Sequence, residues 1–169
     1  MTPGIQVLMR QVERVRDEFR RDVLAGELDA ALAGCAASVA VLHLPMGTGA
    51  SGTAEVRRFL ADDVAGHLPA DLAATRLSRT VDRFRVVDEE RVAFTHDRAL
   101  PWLLPGVAPT GRRTEALAVS ICTVRQGRVL SLRVLWDLPT LLAGLGLAAD
   151  AVRPASAPAS GGENAPSWW

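Results

Sequence analysis

The sequence has no lysine and no tyrosine, and its only asparagine is Asn164. All 19 basic residues are therefore arginine, which removes Schiff-base chemistry on a lysine amine, P-loop phosphate binding and a phenol as oxyanion donor. An excess of charge of one sign is also missing. The 19 basic residues face 19 acidic ones, so there is no electrostatic footprint for nucleic acid or an anionic membrane surface, and neither is expected as a partner. No uninterrupted apolar run approaches the roughly 18 residues that span a bilayer. Met1 to Arg10 lack a basic segment followed by an apolar one, so no secretory signal is read and the cytoplasm is the expected compartment. The two cysteines, Cys35 and Cys122, sit in apolar surroundings and read as buried free thiols rather than a disulfide or a reactive site. His43, His67 and His96 are too scattered for a local metal motif such as H-x-x-x-H, and no metal or other cofactor is expected. Chemistry is left to His, Asp, Glu, Arg and Trp.

What is present suits one ordinary domain over residues 1–150, followed by a Pro/Ala/Ser/Gly-rich tail over 151–169 whose composition predicts disorder. The 169 residues are 49% hydrophobic, and a chain of this length buries roughly two-thirds of its unfolded surface without a staple. Ile5, Leu8, Met9, Val12, Val15, Phe19, Val23 and Leu24 recur mostly every three or four residues and predict an amphipathic helix over 5–24. A shorter helix follows over 27–35, then a strand over 38–44 closed by Pro45. Thr53 is placed to cap a third helix carrying Val56, Phe59, Leu60 and Val64 on one face. Strands are expected over 75–87, 91–100, 114–125 and 128–137, with Asp88-Glu89-Glu90 as a turn and Gln126-Gly127 as a hairpin turn. Residues 101–111 are too proline-rich for a ladder interior and read as a rim or lid, and 140–147 as a short last helix. The order predicts an α+β fold, with helices gathered on one face of a curved, mostly antiparallel sheet.

Gly47-Thr-Gly49-Ala-Ser-Gly52 matches G-x-G-x-x-G between a strand and a helix. A dinucleotide site also needs a parallel strand after that helix and an acidic residue about 20 positions on. Two leading helices, Pro45 and the later hairpins argue against it, and the run reads as a flexible loop at a pocket mouth.

Three other stretches carry a resemblance: Phe94-Thr-His96-Asp97-Arg98 through Pro101-Trp102 to Gly111-Arg112-Arg113, His43-Leu-Pro-Met-Gly-Thr-Gly49, and Leu77-Ser78-Arg79-Thr80-Val81. With Trp136-Asp137 near Leu145-Gly-Leu147, they span about residues 10–147 and resemble SnoaL-like proteins of the nuclear-transport-factor-2-like (NTF2-like) superfamily. The resemblance implies a cone-shaped barrel of three helices and a strongly bent sheet around one pocket, and a homodimer formed through the open sheet face. It also implies a choice among ketosteroid isomerases, limonene-epoxide-hydrolase-like enzymes, polyketide cyclases and noncatalytic binding modules. His96-Asp97-Arg98 and Trp136-Asp137 resemble the Asp, Arg and Asp supply of the epoxide hydrolases, with different spacing. Relatives often carry His-Glu-His-Ile-Tyr before Trp-Asp-Gln. Here Ser131-Leu132-Arg133-Val134-Leu135 stands in that place, which points to a more apolar pocket or a changed chemistry.

The candidate catalytic residues are Asp137, His96, Asp97 and His43, and the candidate substrate-binding residues are Trp102, Trp136, Arg98 and Arg79. Asp137, after an indole at the barrel mouth, would act as acid or base, or would cap the last helix. His96 is either a pocket base or a structural hydrogen-bonding group, and Asp97 with Arg98 either catalyses or pins the loop. His43 either pairs with Asp137 or Asp97 as an oriented base or sits satisfied in the core. Arg79 would stabilise an enolate or carboxylate, or pair with Asp82 or Glu90. Trp102 and Trp136 read as pocket wall, and His67 as solvated. The expected function is a cofactor-free cyclase or isomerase acting on a hydrophobic polyketide-like small molecule by general acid/base catalysis. The alternatives are an epoxide hydrolase or epoxide-opening cyclase, and a noncatalytic ligand-binding or dimerisation module.

Overall fold

Apolar spacing accounts for the first element of the computed structural model, which describes residues 3–153. Helix α1 (Pro3–Ala25) buries Val12, Val15 and Phe19, which share one face. Leu8 and Leu24, assigned to the same stripe from the sequence, are exposed, and Arg16 is buried on that face instead. Gly26, at φ 76°, turns the chain into α2 (Leu28–Ala33). Strands β1 (Cys35–Leu44) and β2 (Thr48–Ser51) then form an antiparallel hairpin around a cis Leu44–Pro45 bond. The glycine-rich run is thus part of the sheet and not a free loop. In it, Gly49 pairs with Leu42, and a Cβ there would lie 2.0 Å from the carbonyl oxygen of Val41 at a φ of 150°. Gly49→Ala is expected to cost about 1–3 kcal/mol of stability, read as a lower urea midpoint. A wild-type midpoint would contradict this close approach of the two strands.

Helix α3 (Thr53–Phe59) continues through a wider turn over Leu60–Val64 and a tighter one over Ala65–His67. Val56, Phe59, Leu60 and Val64 are all buried, as their spacing predicts. Thr53 is not the cap: Gly52 holds that position, and the Thr53 hydroxyl donates to the Ala37 carbonyl.

Strands β3 (Ala73–Val81), β4 (Arg85–Thr95), β5 (Arg113–Arg125) and β6 (Arg128–Trp136) complete a six-stranded sheet in the order β2-β1-β6-β5-β4-β3. Only β1 and β6 run parallel. Gln126 and Gly127, both at positive φ, make the tight β5–β6 hairpin the sequence predicts. The β3–β4 turn corrects the sequence expectation. It lies at Asp82–Phe84, where the Asp82 carboxylate accepts from the backbone nitrogens of Phe84 and Arg85. Asp88-Glu89-Glu90 lies inside β4, and that strand ends at Thr95 instead of reaching Leu100.

After β4 the chain loops out and is clamped where the His96 nitrogen donates to the Arg112 carbonyl and the Gly111 nitrogen to that of His96, both at 2.9 Å. Expected as a rim or lid, the enclosed segment instead drives Trp102, Leu103 and Leu104 into the core. Helix α4 (Leu138–Leu145) packs on β5 and ends at Gly146 in the left-handed conformation. The expected α+β class is the one observed, with a curved open sheet and α1 crossing its inner face. The tail from Pro154 onward, with its expected disorder, and Trp168-Trp169 lie outside the described residues.

Candidate functional site

Strand alternation turns Val41 and His43 of β1, Val134 and Trp136 of β6, Ala118 and Ser120 of β5, and Glu90 and Val92 of β4 toward one side. Helix α1 lays Arg16, Phe19 and Arg20 over them, and the cavity between has a volume of about 160 Å³. Most of its wall is apolar. At one end is an aromatic corner, where the His43 ring lies 5.2 Å from that of Trp102, and Trp102 lies 5.8 Å from Trp136. The Trp136 indole N–H donates to His43 Nδ1 at 3.3 Å. An indole can only donate, so Nδ1 is the acceptor and the neutral ring carries its proton on Nε2. Burial pushes this imidazole down to about 4.

At the other end, α1 meets β4 through charge. Arg20 pairs with Glu90. The Arg16 Nη2 donates to Asp88 at 2.5 Å and to Ser120 Oγ at 3.3 Å, and Arg79 Nε donates to Asp88 at 2.6 Å. Arg79 also grips Asp17 at 2.8 Å, and that hydrogen bond holds the Asp17 carboxyl below the usual carboxylate range. Glu90 is the one carboxylate among the described residues that lines the cavity.

Of the four candidate catalytic residues, only His43 lines this cavity. Its partner is Trp136, not Asp137 or Asp97. Asp137 does not line the cavity and sits at the N-cap of α4, where its carboxylate accepts from the Thr140 nitrogen at 3.3 Å, the capping alternative. His96 is fully buried at the base of the 97–110 loop, its Nδ1 facing Thr110 and its Nε2 without a partner among the described residues. Burial pushes its imidazole down, against the opposing pull of Asp97. Asp97 and Arg98 pair with each other at 2.9 Å on the surface. Arg79 belongs to the Asp88 and Asp17 cluster and pairs with neither Asp82 nor Glu90. Trp102 and Trp136 do line the cavity. His67, expected solvated, is half-buried and bonded through Nδ1 to the Ala99 carbonyl. Cys35 and Cys122 are free and buried, and burial raises their thiols to about 11 and about 12. No group of three or more metal-ligating side chains occurs among the described residues, and no helix among them is long and apolar enough to cross a membrane.

The sequence reasoning did not single out Arg16, Arg20, Glu90 or Ser120. Two periodicities held the signal. Val86, Asp88, Glu90, Val92 and Phe94 alternate on one strand face, and Arg16 and Arg20 fall four apart between Val12, Phe19 and Val23.

The His43 ring carries a stability consequence. Below about pH 6.5 the unfolded ring takes a proton that the folded ring refuses until about pH 4. The unfolded state then binds more protons, so stability is expected to fall by about 3 kcal/mol as the pH drops through that window. Urea midpoints at pH 7 and pH 4.5 for wild type and His43→Phe check this, because the variant lacks this contribution to the slope. Equal slopes would show that the ring is not buried as described.

A family profile described as the SnoaL-like domain matches residues 12–132. No curated protein sequence matches the chain significantly. Among solved structures, a candidate SnoaL-like polyketide cyclase from Jannaschia sp. CCS1 is 21% identical and superimposes over 86% of this chain and 95% of its own, with a TM-score of 0.65. An NTF2-like protein from Burkholderia xenovorans LB400 is 16% identical over 81% of this chain and 97% of its own, with a TM-score of 0.60. A limonene-epoxide-hydrolase-like enzyme of M. tuberculosis is 15% identical over 85% of this chain and 92% of its own, with a TM-score of 0.57. At these identities the likeness establishes the NTF2-like fold.

Proposed function

This chain belongs to the SnoaL-like domain family, and on that premise we propose that it is a cyclase or isomerase acting on a hydrophobic polyketide-like small molecule, with no cofactor in the reaction. The observation that carries the proposal is the apolar cavity whose wall combines one carboxylate, Glu90, with one buried neutral imidazole, His43. The Glu90 carboxylate takes a proton from a carbon conjugated, through intervening double bonds, with a substrate carbonyl at the His43 end of the cavity. Negative charge moves to that carbonyl oxygen, where the Nε2–H of His43 donates in a low-dielectric setting. The carbanion equivalent then attacks a second carbonyl of the same folded molecule, and the new alkoxide recovers the proton from Glu90. Product and substrate have equal mass. Trp102 and Trp136 offer flat walls that hold the chain folded, which supplies proximity. We also propose that two copies pair through the outer sheet face, where Leu117 and Leu135 are exposed; sedimentation as a monomer at micromolar concentration would rule this out.

Comparison of small molecules by mass spectrometry, in the host with and without the gene, tests the reaction. A compound of unchanged mass and altered retention is the expected result. A difference of one water would instead assign epoxide opening, and no metabolite change would assign a noncatalytic binding module.

A further inference from the structure

The unspent hydrogen-bonding capacity of the cavity is mostly of one kind. His43 gives its Nδ1 to Trp136, which leaves the Nε2–H without a partner among the described residues. Ser120, 7% exposed, accepts from Arg16 through its Oγ, and its own hydroxyl hydrogen has no acceptor among the described residues. The indole N–H of Trp102, in the same wall, is buried without a partner among the described residues. A donor left unpaired at the wall of an apolar cavity is costly and is normally met by a ligand or water. The one anionic acceptor in the wall, Glu90, is held by Arg20 and pairs in register with Ala118, two residues from Ser120.

The donors also have a fixed arrangement. His43 on β1 pairs in register with Val134 on β6, and Val134 with Ser120 on β5. His43 and Ser120 therefore stand in one row across the sheet, two strand spacings or about 10 Å apart at the backbone. Behind Ser120, the Arg16 guanidinium is clamped by Asp88, which fixes the hydroxyl oxygen and leaves its hydrogen as the free end.

From this we infer that the cavity selects a hydrophobic bicyclic or longer compound carrying two acceptor oxygens at opposite ends, one received by His43 Nε2–H and the other by the Ser120 hydroxyl, with Arg16 as the positioning residue for Ser120. The inference rests on the cavity being the ligand site proposed above, and it adds Ser120 as a specificity determinant. It predicts carbonyl or ether oxygens at the two ends of the preferred substrate.

Calorimetric titration of the purified protein with 6-methoxy-1-tetralone, which has two acceptor oxygens, and with tetralin, which has none, tests it without knowledge of the reaction. Ser120→Ala is expected to weaken the methoxytetralone about tenfold, the effect of one hydrogen bond, and to leave tetralin unchanged. Ser120→Thr, which keeps the hydroxyl, restores most of the loss. His43→Leu produces a similar selective loss if it folds, and the Ser120 pair carries the test if it does not. Equal effects on both probes, or none on either, overturn the two-oxygen assignment and leave the proposed reaction to the metabolite comparison. If tetralin itself fails to bind wild-type protein, the cavity is not a ligand site, and this inference falls together with the proposed one.

Discussion

Asp88→Asn is expected to lower the stability of the fold by about 3–5 kcal/mol. Asp88 is wholly buried and accepts from Arg79 at 2.6 and 3.0 Å and from Arg16 at 2.5 Å. Removal of its charge leaves two guanidiniums sharing Asp17, with Glu13 near Arg79 alone and the Arg16 side chain only 6% exposed. An uncompensated buried charge costs far more than an exposed pair contributes. For a domain of this size the melting temperature should fall by about 6–20 °C, measurable by calorimetry. Arg98→Ala, which breaks only a surface pair, should shift it little. An Asn variant within about 1 kcal/mol of wild type would refute the buried cluster as the joint between α1 and β4.

The second large effect concerns the two carboxylates that compete for the acid–base role. Glu90→Gln keeps a polar partner for Arg20 but cannot accept a proton from carbon, and turnover is expected to drop about 10²- to 10⁴-fold with the fold retained. Asp137→Asn keeps an equally good N-cap acceptor, so turnover and stability should stay close to wild type. Rates on the isomer pair identified by mass spectrometry, with circular dichroism as the check on folding, separate the two carboxylates. The opposite pattern would return the role to Asp137 and remove Glu90 from the proposal.

Local chemistry explains which parts of the fold the sequence made legible. Val12, Val15 and Phe19 of α1 and the run Val56, Phe59, Leu60 and Val64 record helical burial directly, and Gln126-Gly127 records a turn that needs positive φ. The Asp88-Glu89-Glu90 run misled, because three adjacent acids look solvated, and only Glu89 is. Asp88 and Glu90 are buried against Arg16 and Arg20, about seventy residues upstream. The 101–111 segment misled for a related reason. Its prolines exclude it from a ladder, yet Trp102, Leu103 and Leu104 still bury apolar surface without one.

By itself, the sequence determined the α+β class, the family resemblance, the absence of lysine and tyrosine chemistry, and the presence of His43, Trp102 and Trp136 among the candidates. These follow from periodicity, turn chemistry and composition, which act over a few residues at a time. Only the tertiary structure decided that His43 is turned by Trp136 into an N–H donor, that Asp137 serves a helix end, and that Glu90, Arg16 and Ser120 face the cavity. Those outcomes depend on strand register and on helix α1 crossing the sheet, where residues about seventy to a hundred positions apart neutralise and desolvate one another.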